Sequence, residues 1–543
     1  MTSPGAAEGD AGLQEQHRSL WRSGTEMIRA GRVREATDQF LHLIELMPTD
    51  AAAMVQAAYL LSRQDRYRQS HALALRAAQI GTANAPQCDG AVQIGKLLRM
   101  FEEPALLQRL FAATDWSRCG SAHLLTEASG LLINSGLHAE ALAMIERAVA
   151  ADPRYAHGHY MHGSILAAAG EQERAGDALR RAIALAPGAA HAHWMLSWQK
   201  RSPDHAGEDD DRIAQVRGLL GKTPLGSEAR AYLGYALHNR LHRLQRFDQA
   251  WEALQCAMDS KRQANPYRSD EQQQVFEALK ALPPPTRPSS DPMRGDPRPI
   301  FIVGMHRSGT TLLEQLLAGH SMVTDGGETY TFTAALGEAA DHHCRGVVDL
   351  TVLAGVDSLD WDAIGEQWRS YARWRALGRA VLTEKLPSNF LNVGLIARAL
   401  PEARFLHMRR DPIDVCFSNL RTFFGRAAAY SYDQEQVASY YLEYRRLMSH
   451  WHAQLPGRIL DIDYAELVQD PAARMRGVTD FCGLPFEPGS VETPRRGGSV
   501  ATASLADVRA EISRDRGGAW RPYAPHLQPL IRALKPARDA QQE

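Results

Sequence analysis

The residues best placed to do chemistry lie in Gly304-Met305-His306-Arg307-Ser308-Gly309-Thr310-Thr311-Leu312. Two glycines bracket a cation and a hydroxyl, and two threonines open the run that follows. This composition suits an anion. Glycine lets backbone N–H groups approach closely, and a helix opening at Thr310 adds the positive end of its dipole. The spacing is that of a P-loop, but the Lys that normally precedes the final Ser/Thr is missing: the loop ends Gly309-Thr310-Thr311. That lysine reaches the outer phosphates of a triphosphate. Its absence, with Arg307 inside the loop, argues for a nucleotide with a shorter 5′ chain and against an ordinary NTPase or P-loop kinase.

Such a loop needs a strand before it and a helix after it. Ile300-Phe301-Ile302-Val303 reads as a buried strand, and apolar periodicity resumes as a helix from Thr310. Further strands are expected at Ala380–Glu384, Arg404–Arg409 and Arg458–Asp463, each followed by helical pattern. Asp411-Pro412 is an N-cap acid with Pro at the first helical position. A long helix at about 433–454 starts with Asp433 and Gln436 in capping-box register, and the last helical stretch, from Ala465 towards Cys482, should break at Pro471. Strand–helix alternation implies a parallel sheet with helices on both faces and a ligand at the carboxyl ends of the strands. Lys385, Arg410, Tyr464 and the glycine loop then share one rim.

The N-terminal half repeats. Gly136 is matched by Gly170, Ala141 by Ala175 and Pro153 by Pro187, a period of about 34 residues, the tetratricopeptide length. Each unit reads as two amphipathic helices, with Gly at the turn, Ala where helices cross and Pro after the second helix. Gly31, Ala36 and Pro48 keep the same spacing, a weaker copy runs from Ala57 to Ala78, and a later one combines Tyr232–Leu237 with Phe247–Trp251 and Ala257. The expected fold is therefore an all-α tetratricopeptide solenoid over 17–262, degenerate around 83–120 and 198–226, followed by a P-loop-type α/β domain with a parallel sheet over 298–535. A polar tail (1–16), a Pro-rich linker (263–297) with room for a short helix at Glu271–Leu282, and a tail (536–543) complete the division. A solenoid groove suits a peptide or protein partner; bracing the second domain or contacting a second copy in a homodimer are the alternatives. His157, His159, Tyr160 and His162 look like metal ligands, but no further Cys or His group completes a set. Packing and groove surface is the better reading, and no metal is expected.

Composition narrows the classes. Lys and Arg number 61 against 63 Asp and Glu, so bulk charge favours neither nucleic acid nor an anionic membrane. Cys88, Cys119, Cys256, Cys344, Cys416 and Cys482 are scattered and read as free thiols of a reducing compartment. With no signal-peptide pattern and no apolar run of membrane-spanning length, the expectation is a soluble cytoplasmic protein.

Several motifs in order carry a resemblance. Gly304–Leu312 resembles the 5′-phosphosulfate loop of sulfotransferases, and Arg409-Arg410-Asp411-Pro412, with Ser418 in the next helix, resembles their 3′-phosphate segment. With Glu384-Lys385-Leu386-Pro387, Asp463-Tyr464-Ala465-Glu466-Leu467 and Gly518-Ala519-Trp520-Arg521, the chain is similar to bacterial tetratricopeptide-repeat sulfotransferases, relatives of the tyrosylprotein sulfotransferases. The resemblance implies 3′-phosphoadenosine 5′-phosphosulfate (PAPS) as sulfuryl donor. Arg307, Ser308, Gly309, Thr310 and Thr311 would hold its 5′-phosphosulfate, and Arg410 and Ser418 its 3′-phosphate, with Tyr464 at the nucleotide. Arg307 and Lys385 would stabilise charge on the transferring group and the bridging oxygen. Glu328, in Gly326-Gly327-Glu328-Thr329, stands where tyrosylprotein sulfotransferases carry their catalytic glutamate and would be the base for an acceptor hydroxyl. His407 and His320 are weaker candidates. The alternative is a scaffold whose sulfotransferase-like domain binds nucleotide without turnover.

The chain also departs from its relatives. Tyr330 replaces an arginine that helps tyrosylprotein sulfotransferases hold acidic peptides. His306 stands where Pro is more usual, and Asp507-Val508-Arg509-Ala510-Glu511-Ile512, after Thr502-Ala503-Ser504, replaces Gln-Val-Arg-Gln-Pro-Ile. Asp341-His342-His343-Cys344 spells the protein palmitoyltransferase signature, but the membrane spans and cysteine-rich zinc domain of that family have no counterpart here.

Overall fold

The computed structural model describes residues 4–199, 208–285, 296–425, 427–492 and 517–542. The segment 501–512, with its altered motif, lies outside them. The chain divides into two compact units, one of residues 1–151 with 333–344 and one of 152–332 with 345–543.

The first unit is a series of antiparallel helix pairs. They begin with Pro4–Arg29 and Val33–Leu46, then Ala51–Ser62 and Tyr67–Asn84, and end with Ala122–Asn134 and His138–Ala151. Small residues sit where helices cross. Ala36 and Ala141 are fully buried, and a Cβ on Gly24 would lie 2.8 Å from the Phe40 ring. Gly31 and Gly136 take φ of +73° and +75° at the turns, as the repeat pattern requires. The region 83–120, degenerate in sequence, still forms helices at Cys88–Met100 and Pro104–Ala113. Segment 333–344 belongs to this unit. Arg68 donates its backbone N–H to Asp341 (2.8 Å) and its guanidinium to the carbonyls of Glu338 (2.8 Å) and Ala339 (2.5 Å). His342 and the His343 amide bind Asp65 at 2.5 and 2.8 Å. The palmitoyltransferase-like letters thus act as a clamp on a repeat turn.

The second unit holds further repeats and the sheet. Helices Ala156–Ala169 and Gln172–Leu185 form one pair, Glu228–Arg243 and Phe247–Ala264 another, with Ala190–Trp198 between. His159 and His193 occupy equivalent places and do the same thing: each Nε2 lies 2.9 Å from a proline carbonyl, of Pro153 and Pro187 respectively. His159, one histidine of the apparent ligand pattern, is therefore repeat architecture. A short helix, Ser269–Lys280, follows the repeats.

Among the described residues the strands are β1 (Arg298–Gly304), β2 (Val323–Asp325), β3 (Val381–Lys385), β4 (Arg404–Arg409) and β5 (Ile459–Asp463). All pair in parallel, in the order β2-β3-β1-β4-β5. β1 and β3 are buried throughout, as strands covered on both faces must be. Asp411 caps its helix by accepting from the Ile413 and Asp414 amides at 3.0 Å. Asp433 likewise caps Gln434–Gln454. The capping box is only half formed, because the Gln436 side-chain oxygen has no partner among the described residues. The last helical stretch is interrupted before Pro471, giving Tyr464–Gln469 and Pro471–Phe481.

Candidate functional site

The register brings the strand ends together: Ile302 is opposite Lys385, Gly304 opposite Met408, and Arg409 opposite Asp463. The glycine loop leaves β1 between these ends, and the helix Thr310–Ala318 starts after Gly309. Both loop glycines are needed sterically. A Cβ on Gly304 (φ +155°) would lie 2.8 Å from the Met408 carbonyl and 2.9 Å from Ser308 Oγ, and one on Gly309 (φ +108°) would run into the Tyr464 ring. Arg307 itself is left-handed, with φ of +71°. Such backbone turns its amides towards a common point. The Asn419 side chain fixes the loop by donating to the His306 carbonyl at 2.7 Å.

Within this cradle Ser308 is 1% exposed, and its hydroxyl has no partner among the described residues. A buried hydroxyl without a partner is costly. An oxygen-rich anion in the loop would satisfy it. The Thr310 and Thr311 amides, at the start of the helix, have no intrahelical acceptor either. These features fit a phosphate or phosphosulfate group.

The cations converge from two sides. Arg307 Nε donates to Ser418 Oγ at 3.0 Å. Arg410 reaches the Arg307 carbonyl at 3.4 Å, with its guanidinium 4.5 Å from the centre of the Tyr464 ring. Arg307, Ser418, Arg410 and Tyr464 are thus neighbours, joined across 157 residues of sequence. Tyr464, 8% exposed, backs both Gly309 and Arg410.

On the other side of β1, Lys385 is fully buried and its ammonium contacts Glu328. Local geometry explains why these two meet. The Gly326 amide donates to the Thr383 carbonyl at 2.7 Å and the Lys385 amide to the Gly327 carbonyl at 2.9 Å, which extends the β2–β3 pairing. A Cβ on Gly326 would collide with the Thr383 carbonyl. Glu328 is therefore delivered to Lys385 by a glycine pair pressed against β3. Strand alternation sends the preceding side chain the other way: Glu384 accepts from Trp368 Nε1 (2.7 Å) and Asn389 (2.8 Å) and serves packing.

Sequence reasoning missed Glu314. It lies in the loop helix, buried, with Oε1 accepting the Gly327 amide at 3.1 Å and Oε2 3.9 Å from Lys385. Burial pushes its carboxyl up to about 8 despite the nearby ammonium. The signal was present: a lone acid inside Leu312-Leu313-Glu314-Gln315-Leu316-Leu317. Burial also holds the His306 imidazole down at about 4, with Lys385 and Arg307 adding to it against Glu328, so His306 is neutral at pH 7.

The weaker base candidates are structural. His320 pairs with the Pro485 carbonyl at 2.8 Å and accepts the Met322 amide at 3.1 Å. His407, His452 and Asp461 bring three ligand-type atoms within 4.8 Å, but they satisfy one another. Asp461 Oδ1 lies 2.7 Å from each imidazole, Oδ2 accepts from Arg409 at 3.2 Å, and His407 also bonds Tyr444.

Residues 299–488 match the model of the sulfotransferase family. The C-terminal part is a sulfotransferase-family domain. A protein of Aquifex aeolicus (strain VF5) without an assigned function is 31% identical over 343 residues, 60% of this chain and 44% of its own length. A provisionally named protein-tyrosine sulfotransferase of Caenorhabditis briggsae is 25% identical over 192 residues, 34% of this chain and 66% of its own. The chain thus spans less than half of the first relative and about two thirds of the second. Among solved structures, the sulfotransferase domain of the Synechococcus PCC 7002 olefin synthase aligns at 22% identity. The alignment covers 43% of this chain and 90% of that one, with a TM-score of 0.29. Among the described residues no helix is long and apolar enough to cross a membrane.

Proposed function

We propose that this chain transfers the sulfuryl group of PAPS to an acceptor hydroxyl. The observation that carries the reading is the contact between buried Lys385 and Glu328 beside a glycine loop whose own hydroxyl, Ser308, has no partner among the described residues. PAPS supplies an activated sulfuryl group on a 5′-phosphate and a separate 3′-phosphate as a handle. Ser308, Gly309, Thr310, Thr311 and Arg307 hold the phosphosulfate end. Arg410, with Ser418 close by, takes the 3′-phosphate through its planar fork, and Tyr464 supports that guanidinium.

In the reaction the acceptor oxygen forms the new S–O bond as the bond to the 5′-phosphate oxygen breaks with its electron pair. Glu328 receives the hydroxyl proton, and Lys385 and Arg307 offset charge on the leaving oxygen and the sulfuryl oxygens. Glu328 is one-third exposed while Lys385 is not exposed at all, so the base faces the side from which an acceptor arrives. The repeats of the chain serve acceptor or partner binding.

Calorimetry with 3′-phosphoadenosine 5′-phosphate tests the reading. Binding in preference to ATP, weakened at least tenfold in Arg410→Ala, is expected. A preference for ATP would return the domain to nucleoside-triphosphate chemistry.

A further inference from the structure

The repeats of the second unit carry a row of aromatic side chains that no step above uses. Helix Ala156–Ala169 presents His157 and Tyr160, and helix Ala190–Trp198 presents His191 and Trp194, the same two positions 34 residues on (157 to 191, 160 to 194). Positions three apart share one helix face. Ring centroids follow one another closely: 5.7 Å from His157 to Tyr160, 4.2 Å to His191 and 6.4 Å to Tyr232 of helix Glu228–Arg243. Trp194 joins at 5.4 Å from Tyr232. Tyr232 stacks on Phe423 at 4.2 Å with an interplanar angle of 25°.

The row ends one residue from a contact with the glycine loop. Phe423 and Phe424 are consecutive, and while Phe423 meets Tyr232, Phe424 lies 5.2 Å from His306 of the phosphate-type loop. Lys261 holds this corner by donating to the Gly425 carbonyl at 2.6 Å, 4.4 Å from the centre of the Phe423 ring. His157 is exposed, and Tyr160, His191, Trp194 and Tyr232 are half-buried.

We infer that this row is the acceptor subsite and that it takes a neutral oligosaccharide. The inference rests on the sulfotransferase reading, since it treats the bound sugar as the hydroxyl donor. Three features favour a sugar chain. The row is a succession of rings, which matches a chain of pyranoses whose C–H faces are apolar; one phenol would need a single platform. The imidazole and phenol groups of the row can hydrogen-bond hydroxyls. The six rings of the row carry no carboxylate, ammonium or guanidinium, and the ammonium of Lys261 lies over the last of them, Phe423. Burial keeps His191 below the usual imidazole range, with His157 and His193 adding to it. At the corner Lys261 lies 3.9 Å from Glu228, a pairing that offers little excess charge to an acidic peptide.

Calorimetry on the full chain with 3′-phosphoadenosine 5′-phosphate present would use cellohexaose, chitohexaose and maltohexaose, beside an acidic tyrosine peptide and a simple phenol. Expected is binding of at least one hexasaccharide, at least tenfold tighter than its disaccharide. Tyr160→Ala and His191→Ala should each weaken it about tenfold, while Tyr160→Phe keeps most of it and nucleotide affinity stays unchanged in all three. Three results would overturn the inference: binding of no hexasaccharide, indifference to both alanine variants, or preference for the peptide or phenol. Failure of the wild type to bind the nucleotide would instead count against the transferase reading, and the sugar titration would still decide the row.

Discussion

Lys385 contacts Glu328 and lies 3.9 Å from Glu314, while His71, in the first unit, lies between Glu103 (3.1 Å) and Glu338 (2.9 Å). Each is a buried base between two carboxyl groups, yet the surroundings differ. Around His71 both acids are partly exposed and aim at the ring. Burial alone would lower the imidazole, but the two hydrogen-bonded carboxylates reverse this and raise it to about 9. The result is a charged cluster at neutral pH that ties segment 333–344 to the repeats of its unit. Around Lys385 one acid is buried and held neutral, the other is one-third exposed, and a hydroxyl without a partner among the described residues sits in the adjacent loop. Polar clusters that satisfy themselves hold a fold together. One that leaves donors open beside a removable proton is equipped for a substrate.

The comparison breaks most visibly at the Lys385 cluster. Lys385→Ala and Glu328→Gln should each lower sulfuryl transfer by about 10²–10⁴-fold, measured with labelled donor at saturating acceptor. Glu328→Gln should bind 3′-phosphoadenosine 5′-phosphate as the wild type does. Near-normal rates in both variants would reduce this cluster to the same clasp role as the other.

At His71 the effect is on stability and has a definite sign. The folded pKa is raised from the unfolded value near 6.5 to about 9. The contribution is therefore fully present below about pH 6.5 and is lost as pH rises through about 9. It amounts to roughly 3 kcal/mol. Denaturant unfolding followed from pH 6 to above pH 9 should record that decline in the wild type and a flatter profile in His71→Phe. A wild-type midpoint that stays constant over this window would refute the assignment.

How much of this was legible differs between the two places. The glycine loop, its strand and its helix are a local pattern, so their residues alone indicated an anion cradle. The repeats were legible where glycine marks the turn, at Gly31, Gly136 and Gly170. The weaker copies make the same turn with Asp65, Glu102 and Gln245 at φ of +60°, +55° and +57°, and the glycine signal is lost although the geometry is kept. Tertiary facts were out of reach. Nothing local ties Glu338 to His71 or Ser418 to Arg307, and Glu314 passes as one acid in an apolar helix until its burial is seen.

Arg410 sharpens the comparison by testing whether the open site discriminates ligands. Arg410→Ala should weaken 3′-phosphoadenosine 5′-phosphate at least tenfold, and adenosine 5′-phosphosulfate, which lacks the 3′-phosphate, much less. Equal losses for the two nucleotides would move Arg410 to the 5′ side, beside the Arg307 carbonyl it already contacts.

The smallest effect belongs to Glu314. Its folded pKa of about 8 lies above the ordinary value of 4.5. The folded state therefore keeps a proton that the unfolded chain releases, and stability falls as pH rises between those values. Glu314→Gln matches the neutral acid and can still accept the Gly327 amide. It should cost no more than about 1 kcal/mol near pH 5, and compare better with the wild type at pH 8, where the natural carboxyl has begun to ionise in a buried place. Unfolding curves of the two proteins at both pH values decide it. A variant that grows relatively worse with pH would mean that Glu314 is charged throughout and that Lys385, like His71, sits between two carboxylates.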